Sequence, residues 1–580
     1  MTYIPSGFAL QIFQSRHAAH ANETWNEACS RVAQHIANAE DGEARNYWRD
    51  RFEALLQNNF LMPGGRIWYG SGRARGQLLN CFVIGAGDSR EGWADTVGDS
   101  IVISGTGGGV GVNCSPVRPR GTPIRGTGGA ATGAVSLMSI INAAGEEIKA
   151  GGGRRTALML ALGLSHGDIV EFLDKKLDLK QLNNANVSVI FDDNPEVFFA
   201  KVAADEDWPL THQGKEVGRI PARSLWERIV KNALAGGEPG LLNGYLANKM
   251  SNIWYVEPLT CTNPCGEIWL SPYDCCCLAA LVLPRFVTEG REVDWDLLKQ
   301  SVQTGVRFLD NVLTVNNYPL PEIQAKCAQL RRIGLGITGL HHMLLELGLK
   351  YNAPSGLEFV DKLMARIKNW SYEASSDIAA QKGSFAAFEA DKFLRSGFCK
   401  TLKPSLREKI RRDGMRNCAV NTIAPTGTIS MVCETSSGIE PIFAPAYERR
   451  YRNGDELAME VVVDPMFQRF VAEGRGVKHF VGAHDLNMRD HLEMQRVCQK
   501  HVDNAVSKTI NLPHDTSSEE LSALYIEFLP ELKGITVYPD GSRENQPLTP
   551  LPLERAIELA EGAVTEAGNN DRCRSGVCEL

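Results

Sequence analysis

From residue 60 onward, short apolar runs alternate with longer amphipathic segments, and this alternation most limits what the chain can fold into. Apolar residues at helical spacing predict helices, for example over 224–235, 294–313 and 357–381. The short runs NCFVIGA, GVGVNC, ANVSVIF, CLAALVL and KGITVY predict strands. Strands that alternate with helices over several hundred residues indicate an α/β protein with a largely parallel sheet, open or closed into a barrel.

Length and charge narrow the choice of architecture and partners. At 580 residues the chain exceeds the usual size of one domain, so we expect several domains or one large barrel-like unit. A net charge of -8 gives no general attraction to nucleic acid or to a membrane surface. The first 25 residues lack the pattern of a signal peptide, and no apolar run is long enough to span a membrane. We predict a cytoplasmic protein that binds neither nucleic acid nor membranes.

The glycine-rich stretch GTGGGVGVNC, residues 105–114, invites comparison with a dinucleotide-binding fingerprint. That motif needs a strand before the glycines and a helix that starts within them. Here the residues after the glycines, VGVNCSPV, predict another strand, so the context does not fit. Tight turns and a backbone that approaches phosphate or sugar both remain as explanations.

Five cysteines lie close together in TCTNPCGEIWLSPYDCCC, residues 260–277. Fifteen cysteines in a chain without a secretion signal favour free thiols over a disulfide framework. The spacing, C-x-x-x-C and then three adjacent cysteines, differs from the short Cys-x-x-Cys pairs of structural zinc sites. Alternate side chains of a strand also face opposite ways, so three adjacent thiols cannot all reach one ion. Packing in a core strand suits Cys275 and Cys277.

Cys265 has different surroundings, because TNPCGE places a turn-forming Pro and Gly beside it. Asn263 and Glu267 lie two residues away on either side. In an extended loop, residues at i-2, i and i+2 share one face, so an amide, a thiol and a carboxylate would converge on one ligand. This set of groups indicates acid/base and thiol chemistry.

NPCGE, followed eleven positions after its cysteine by Cys276, resembles the radical-site signature of ribonucleotide reductase catalytic chains. The resemblance continues in the family's order over roughly residues 60 to 546. The matching segments are LLNCFVI around Cys81, GTGGGVGVNCSPVRPRG, TGAVSLM, GGRRTALMLALGLSHGDIVEFL, NNANVSVIFDD, RRIGLGITGLHHMLLELGLKY, RNCAVNTIAPTGTIS and SSGIEPIFAPAYERRY.

Details of the sequence favour one branch of that family. The oxygen-dependent class carries two adjacent tyrosines near the end of its barrel, and this sequence contains no Tyr-Tyr pair. The segments KHVDNAVSKTINLP and LKGITVYPDGSRENQ are similar to the adenosylcobalamin-dependent class, class II. No glycyl-radical motif is visible. The resemblance therefore implies adenosylcobalamin as cofactor, with no metal except the cobalt within it; the alternative is an oxygen-dependent large subunit that needs a separate radical-generating subunit.

Two explanations from other functional classes compete with a radical enzyme. A thiol-disulfide enzyme without a radical would use Cys81, Cys276 and the cysteines of the tail, but it gives TNPCGE no role. A non-catalytic nucleotide-binding chain would not need Asn263, Cys265 and Glu267 together with those cysteines.

The resemblance implies a role for each catalytic residue. Cys265 forms a thiyl radical that takes the 3′-hydrogen of a ribonucleotide, preferably a diphosphate. Glu267 accepts the 3′-hydroxyl proton, and Asn263 holds the sugar. Cys81 and Cys276 supply two electrons by forming a disulfide. The family commonly has Asn after its second cysteine, whereas CCC stands here, so Cys275 or Cys277 could replace Cys276.

The resemblance also implies binding residues and partners. The tail cysteines Cys573 and Cys578 would reduce the internal disulfide and be reduced in turn by a thioredoxin-type protein. Deoxynucleotide effectors would act through the loop 181–186 in a homodimer. The residues expected to bind substrate phosphates are Ser136, Thr426, Gly427 and Thr428. The residues expected in the effector loop are Gln181, Asn183 and Asn184.

The fold implied by the resemblance is a ten-stranded α/β barrel of two five-stranded halves with a central finger loop that carries TNPCGE. The predicted division is a helical N-terminal region, 1–60, the catalytic barrel, 61–546, and a linker, helix and mobile tail, 547–580.

Overall fold

The chain begins with three helices that pack on one another and on the main body. The computed structural model describes residues 3–126, 128–150, 154–177, 181–453, 456–540 and 548–567. The first helices are α1 (Gly7–Arg16), α2 (Trp25–Ala37) and α3 (Gly42–Gln57). Helix α2 starts with a capping box in which Thr24 and Glu27 satisfy each other's backbone N–H groups. Its apolar face is buried, so the predicted N-terminal helical packing is present.

Strands and helices then alternate along the chain, as the apolar pattern predicts. The described strands are β1 (Leu61–Pro63), β2 (Cys81–Gly85), β3 (Gly109–Asn113), β4 (Lys149–Ala150), β5 (Arg154–Arg155), β6 (Leu158–Gly163), β7 (Ala185–Phe191), β8 (Asp207–His212), β9 (Lys215–Pro221), β10 (Gly240–Asn243), β11 (Cys261–Thr262), β12 (Trp269–Leu270), β13 (Cys275–Val282), β14 (Ile333–Thr338), β15 (Ala446–Asn453), β16 (Glu456–Val463), β17 (Thr509–Leu512), β18 (Gly534–Pro539) and β19 (Leu548–Pro550).

Several of the helices that follow pack on strands of the main sheet. The described helices after α3 are α4 (Gly65–Gly70), α5 (Arg90–Gly105), α6 (Ala134–Glu147), α7 (Ile169–Lys175), α8 (Pro195–Ala204), α9 (Ala222–Gly236), α10 (Gly244–Met250), α11 (Trp295–Val315), α12 (Pro321–Leu330), α13 (Leu340–Glu346), α14 (Pro354–Lys382), α15 (Ala390–Phe393), α16 (Pro404–Asp413), α17 (Gly427–Val432), α18 (Pro465–Ala472), α19 (Met488–Gln499), α20 (Ser518–Phe528) and α21 (Leu553–Ala567).

The main sheet is built from two sets of parallel strands. Strands β2, β3, β6, β7 and β10 are parallel neighbours and form one set of five. Strand β13 pairs antiparallel with β2, and β18 pairs antiparallel with β10. Beyond these seams, β14 is parallel to β13 and β17 is parallel to β18, while β1 is antiparallel to β13. The described sheet therefore has ten strands.

The two ends of this sheet are not joined by a continuous ladder. Between β14 and β17 the described residues contribute only isolated bridges, Leu335 to Asn421 and Ile423 to Val506. Segment 419–423 is not a regular strand, although Leu335 N donates to the Val420 carbonyl oxygen and Ile423 N donates to the Ala505 carbonyl oxygen. The mixed α/β fold is confirmed, whereas the closed ten-stranded barrel predicted from the resemblance is not.

The sheet is covered on its outer side, which explains why its strands read as continuous apolar runs. Every residue of β6, β13 and β14 is buried. Helix α11 packs on β13 and β14 through an apolar face that buries Val302, Val306 and Leu309. Within the ranges that the structure describes, we find no helix with the length and apolar character needed to cross a membrane.

A short hairpin, β11–β12, carries the TNPCGE segment. Gly266 turns the chain at φ +79°, a conformation that L side chains rarely adopt. The stem lies against β3 so closely that a Cβ on Gly111 would be 1.9 Å from the Thr262 carbonyl oxygen. From the opposite side, the Thr422 hydroxyl and the Ala505 N–H, which lie outside the regular strands, donate to the Glu267 carbonyl oxygen at 2.6 and 2.9 Å. Strand β3 and the segments around Thr422 and Ala505 therefore fix the hairpin from opposite sides.

The last described elements form a small unit beside the sheet. Strands β15, β16 and β19 make a three-stranded sheet, and α21 packs on α18. Phe467, Phe470 and Ala556 belong to the apolar cluster at this contact. The predicted redox pair of the tail, Cys573 and Cys578, lies outside the described residues.

Candidate functional site

A cavity of about 410 Å³ lies at the tip of hairpin β11–β12. Glycines from β3, β14 and their flanking loops form much of its wall, so backbone rather than side chains faces the space. The predicted residues that line it are Cys81, Asn263, Cys265, Glu267, Thr426, Gly427 and Thr428. Segments more than 340 residues apart in sequence are brought to one cavity.

Asn263, Cys265 and Glu267 reach the cavity in a different way from that expected. Residues 264–267 form a tight turn rather than an extended loop, because the hairpin reverses within six residues. The Asn263 carbonyl oxygen accepts from Gly266 N at 3.0 Å, and its side-chain oxygen accepts from Ile268 N at 3.1 Å. These bonds hold the turn, so the convergence results from turn geometry and not from strand alternation.

Cys265 is the only exposed cysteine among the described residues. Its thiol faces the cavity, where the protein around it excludes most bulk water. This desolvation, and then the nearby Glu267 carboxylate, raise the pKa of Cys265. The thiol therefore keeps its hydrogen at neutral pH and remains accessible to a bound molecule.

Glu267 is a buried carboxylate that the protein only partly satisfies. Its side chain is 2% exposed, and burial raises its pKa. The Cys81 thiol donates to Oε1 at 3.8 Å, whereas Oε2 has no hydrogen-bond partner among the described residues. An unpaired buried oxygen of this kind is costly. Its position in the cavity wall indicates that a ligand supplies the missing donor.

Cys81 and Cys276 are directly opposite each other across the antiparallel pair β2–β13. Directly opposite residues have Cβ atoms about 4.5–5.5 Å apart, a spacing from which a disulfide can form after a small adjustment. Asn263 Nδ2 donates to the Cys81 sulfur at 3.2 Å. Burial raises the pKa of both thiols, so both are protonated at neutral pH.

The two cysteines beside Cys276 make their contacts on the helix side of the sheet. The Cys277 thiol donates to the Leu309 carbonyl oxygen of α11 at 3.5 Å. A hydrogen bond with Cys327 of α12, followed by burial, raises the pKa of Cys275. This placement is the packing role that strand alternation predicts for Cys275 and Cys277.

The segment Thr426–Thr428 leads into helix α17 at the cavity. The Thr426 hydroxyl is already used by the protein: it bonds with the Thr338 hydroxyl at 3.0 Å and accepts from Gly438 N at 2.7 Å. A Cβ on Gly427 would meet no atom within 4 Å, which places this residue at open space. Gly427 and Thr428 are thus better placed than the Thr426 side chain to touch a ligand.

Ser136 is not among the residues that line the cavity. It lies near the start of α6, where its hydroxyl donates to the Thr132 carbonyl oxygen at 2.9 Å. Arg120 Nη2 approaches the same hydroxyl at 3.5 Å and is paired with Glu171. The predicted phosphate contact of Ser136 gains no support from this placement.

The loop 181–186 lies on α6. Asn142 of α6 donates to Asn183 Oδ1 at 3.3 Å and accepts from Asn184 N at 3.0 Å. Gln181 is half-buried at the start of the loop. The predicted effector residues therefore lie together before the start of β7, an interior strand, and outside the cavity.

Two residues that the sequence analysis did not name individually join these regions, and one of them, Asn186, is the last residue of the predicted loop 181–186. Asn186, the exposed residue of β7, donates from Nδ2 to the Pro264 carbonyl oxygen of the TNPCGE turn at 2.9 Å. Asn80 lines the cavity, and its Oδ1 is buried without a partner among the described residues. The sequence contains a signal for each residue. Asn186 is polar within an apolar strand, and Asn80 directly precedes Cys81.

Comparison with known proteins identifies a family and several relatives that this chain resembles. The family model described as ribonucleotide reductase, barrel domain, matches residues 79–538. A vitamin B12-dependent ribonucleoside-diphosphate reductase of Mycobacterium tuberculosis is 35% identical, over 99% of this chain and 84% of the relative. A protein of the same name from Thermoplasma acidophilum is 35% identical, over 88% of this chain and 67% of the relative.

More distant relatives carry a different name. The ribonucleoside-diphosphate reductase subunit alpha of Chlamydia pneumoniae is 25% identical, over 76% of this chain and 47% of its own length. The higher identity and fuller coverage fall on the relatives that are named for vitamin B12.

Proposed function

The chain belongs to the ribonucleotide reductase family, and from this premise we propose that it reduces ribonucleoside diphosphates to 2′-deoxyribonucleotides with adenosylcobalamin as cofactor. The relatives named as vitamin B12-dependent reductases of ribonucleoside diphosphates support both the substrate and the cofactor. The protein is an oxidoreductase of the cobalamin-dependent class, and the oxygen-dependent alternative is not favoured.

One observation carries the proposal at the level of the site. An accessible thiol, a buried carboxylate oxygen without a partner and one member of a cross-strand thiol pair line the same cavity. Replacing a ribose 2′-hydroxyl by hydrogen needs a radical, a base and two electrons. Cys265, Glu267 and the pair Cys81 and Cys276 provide residues for these three needs.

The residues around Cys265 fit the proposed cofactor. When bound, adenosylcobalamin supplies a radical that can remove a hydrogen atom from a thiol. Such chemistry requires a protonated thiol that a large molecule can approach. Cys265 is exposed and its pKa is raised, and a Cβ on the neighbouring Gly266 would meet no atom within 4 Å. The chain therefore offers an open face beside a hydrogen-bearing sulfur.

We assign the later steps to the residues of the cavity. The Cys265 thiyl removes the 3′-hydrogen, and Glu267 accepts the 3′-hydroxyl proton on its free oxygen. Asn263 orients the sugar and the Cys81 thiol. Cys81 and Cys276 give two electrons and two hydrogens, so that the C2′ hydroxyl leaves as water, C2′ gains hydrogen and a disulfide forms. The 3′-hydrogen then returns from Cys265 to the sugar, and Glu267 returns its proton to the 3′-oxygen.

Substrate phosphates and the reductant complete the proposed cycle. Backbone N–H groups in the first turn of α17 have no intrahelical partners, which suits Gly427 and Thr428 for phosphate binding. We propose that Cys573 and Cys578 reduce the Cys81–Cys276 disulfide by exchange and are themselves reduced by a thioredoxin-type protein.

A homodimer with a specificity site is the quaternary arrangement we propose. The exposed residues Ile101, Val102 and Ile140, at 42%, 43% and 47%, lie on the packed helices α5 and α6. The same α6 holds the loop 181–186 through Asn142. Deoxynucleotide effectors bound near this face would act through that loop.

The finer architecture also belongs to the proposal. A barrel of two five-stranded halves around hairpin β11–β12 would be complete if segment 419–423, which has bridges at Asn421 and Ile423, acts as a strand between β14 and β17 and the short β1 lies outside the barrel. The proposed units are 1–60, 61–546 and 547–580, and the proposed location is cytoplasmic.

The decisive experiment is anaerobic reduction of a ribonucleoside diphosphate by the purified chain alone, with a dithiol and with adenosylcobalamin added or omitted. We expect cofactor-dependent deoxynucleotide formation that Cys265→Ser abolishes. Cys29→Ser is the matched control, because Cys29 is buried in helix α2, in the N-terminal packing. Product that appears only after addition of a separate radical-generating subunit would instead assign the chain to the oxygen-dependent class.

A further inference from the structure

A basic groove lies between helices α11, α14 and α16, and the proposed function does not use it. Its volume is about 730 Å³, within the usual range for a small-molecule site. The cationic residues that line it are Lys299, Arg366, Lys403, Lys409 and Arg412. We propose that this groove binds a nucleoside polyphosphate.

The charge of the groove is opposite to that of the whole chain. The nearby carboxylates are Glu373, at 3.4 Å from Lys299, and Asp377 and Asp413, each at 2.7 Å from Lys409. Five cations therefore face three carboxylates, which leaves a net charge of +2 on a protein whose net charge is -8. A concave positive surface on an acidic protein concentrates anions locally.

Two of the cations are available to a ligand. Lys403 and Arg366 form no ion pair with the described residues, and both are exposed. The Arg366 guanidinium lies over the ring of Trp295 at 4.4 Å, which holds its position without neutralising its charge. A phosphate chain can therefore bind them without breaking an internal salt bridge.

An aromatic ring beside the cations indicates what the anion carries. Trp370 of α14 is half-buried in the groove wall, and its ring centre is 6.4 Å from that of Trp295. Stacking of a base on an aromatic ring is worth roughly 1–3 kcal/mol. A ligand with phosphates and a planar base uses both features, whereas inorganic polyphosphate uses only the charges.

Helix α14 lines the groove and is connected to the catalytic turn through Asn421 and Thr422. On the inner side of α14, the Ser371 hydroxyl accepts from Asn421 Nδ2 at 3.0 Å, and the Tyr372 hydroxyl donates to Asp503 at 2.7 Å. Asp503 accepts from Asn421 N at 2.8 Å. The next residue, Thr422, bonds to Glu267. Helix α14 and the segment around Asn421 thus lie between a nucleotide in the groove and the catalytic turn, and they connect the two.

Photolabelling of the full chain with azido-ATP, followed by peptide mapping, tests the proposal. We expect label in peptides from 357–373 and 401–413. Lys403→Ala should reduce that label about tenfold at a sub-saturating concentration, the effect of losing one charge-assisted contact. Lys362→Ala, which removes an exposed lysine of α14 that does not line the groove, should leave it unchanged. Label elsewhere in the chain provides an internal reference for an intact fold.

Competition experiments distinguish binding of the whole nucleotide from binding of its phosphates alone. A separate assay tests the reductase assignment. Tripolyphosphate should compete more weakly than ATP, and Trp370→Leu should remove that difference. Equal competition would overturn the nucleoside part of the proposal. Absence of label from both peptides, or equal label in the Lys403→Ala variant, would overturn the site, whereas deoxynucleotide formation in the separate assay reports on the reductase function alone.

Discussion

Glu267 shows how a single residue at the catalytic turn is kept in an unfavourable state. Its carboxyl group is buried, and one of its oxygens has no partner among the described residues. Burial raises its pKa, so the folded chain holds the proton to a higher pH than the unfolded chain does. The contribution of Glu267 to folding stability is therefore fully present below the unfolded-state pKa of a glutamate, about 4.3. That contribution is lost as pH rises through the higher pKa of Glu267 in the folded chain.

Glu267→Gln should separate activity from stability. We expect kcat to fall by about 10²–10⁴, the usual effect of removing a general base, and the acid limb of the pH–rate profile to disappear. In the wild type that limb should lie above the ordinary range of an exposed carboxylate. The variant should also melt at a higher temperature than the wild type at neutral pH, with the difference shrinking as pH falls.

The control for this comparison is Glu519→Gln, which changes an exposed glutamate at the start of α20. It should alter neither the rate profile nor the pH dependence of melting. A Glu267→Gln variant that is less stable than the wild type at neutral pH would contradict the assigned cost of the buried charge.

The three adjacent cysteines should behave differently when changed one at a time. Cys276→Ala should stop multiple turnover, because only Cys276 is directly opposite Cys81. Cys275→Ala and Cys277→Ala should keep the rate within about twofold and lower the free energy of unfolding by roughly 1 kcal/mol, through lost packing against α12 and α11. Thiol counting after one anaerobic turnover, with and without dithiol, checks the assignment. Loss of the turnover disulfide in Cys275→Ala or Cys277→Ala would contradict it.

At the scale of elements, hairpin β11–β12 is held by side chains from two strands of the same parallel set, β7 and β3. Asn186 of β7 is the last residue of the loop 181–186 and bonds to the Pro264 carbonyl oxygen. Asn113 of β3 bonds to the hairpin stem at the Thr260 carbonyl oxygen, at 2.9 Å. The first bond connects the proposed effector loop to the catalytic turn, and the second connects only the sheet to the stem.

Asn186→Ala should therefore weaken the response to deoxynucleotide effectors. Losing one hydrogen bond of about 0.5–1.5 kcal/mol should reduce the effector-induced change in substrate preference by roughly twofold to tenfold. Reduction of each ribonucleotide without effector should change less. Asn113→Ala, the matched control, should leave effector-induced preference intact. Competition assays with two substrates, with and without effector, measure the substrate preference of each variant. If both variants lost the effector-induced change in preference equally, Asn186 would act only through the stability of the hairpin.

At the scale of the whole molecule, helices α5 and α6 present the apolar face proposed for the homodimer. Ile101→Glu combined with Val102→Glu should convert the dimer to monomer in analytical ultracentrifugation, because a charge buried in an apolar interface is costly. Val217→Glu is the control, since Val217 is 52% exposed on the β8–β9 hairpin, outside that face. A wild-type chain that sediments as a monomer at all concentrations would contradict the dimer.

Local patterns in the sequence predicted much of the fold and of the catalytic turn. Alternating apolar runs indicated the strands, and amphipathic periodicity indicated helices such as α9, α11 and α14, because burial imposes these periods within a few residues of chain. Strand alternation also predicted that Cys276 differs from its two neighbours. The motif around Cys265 pointed to the family before any contact was known.

Tertiary structure decided what depends on segments far apart in the chain. The antiparallel seams of the sheet and its open ladder near Asn421 follow from long-range pairing, which no local period encodes. The free oxygen of Glu267, the bond from Asn186 to Pro264 and the distance of Ser136 from the cavity depend on packing between elements. The sequence by itself determined which elements form and which chemistry they carry; only packing determined which side chains meet and which are left without a partner.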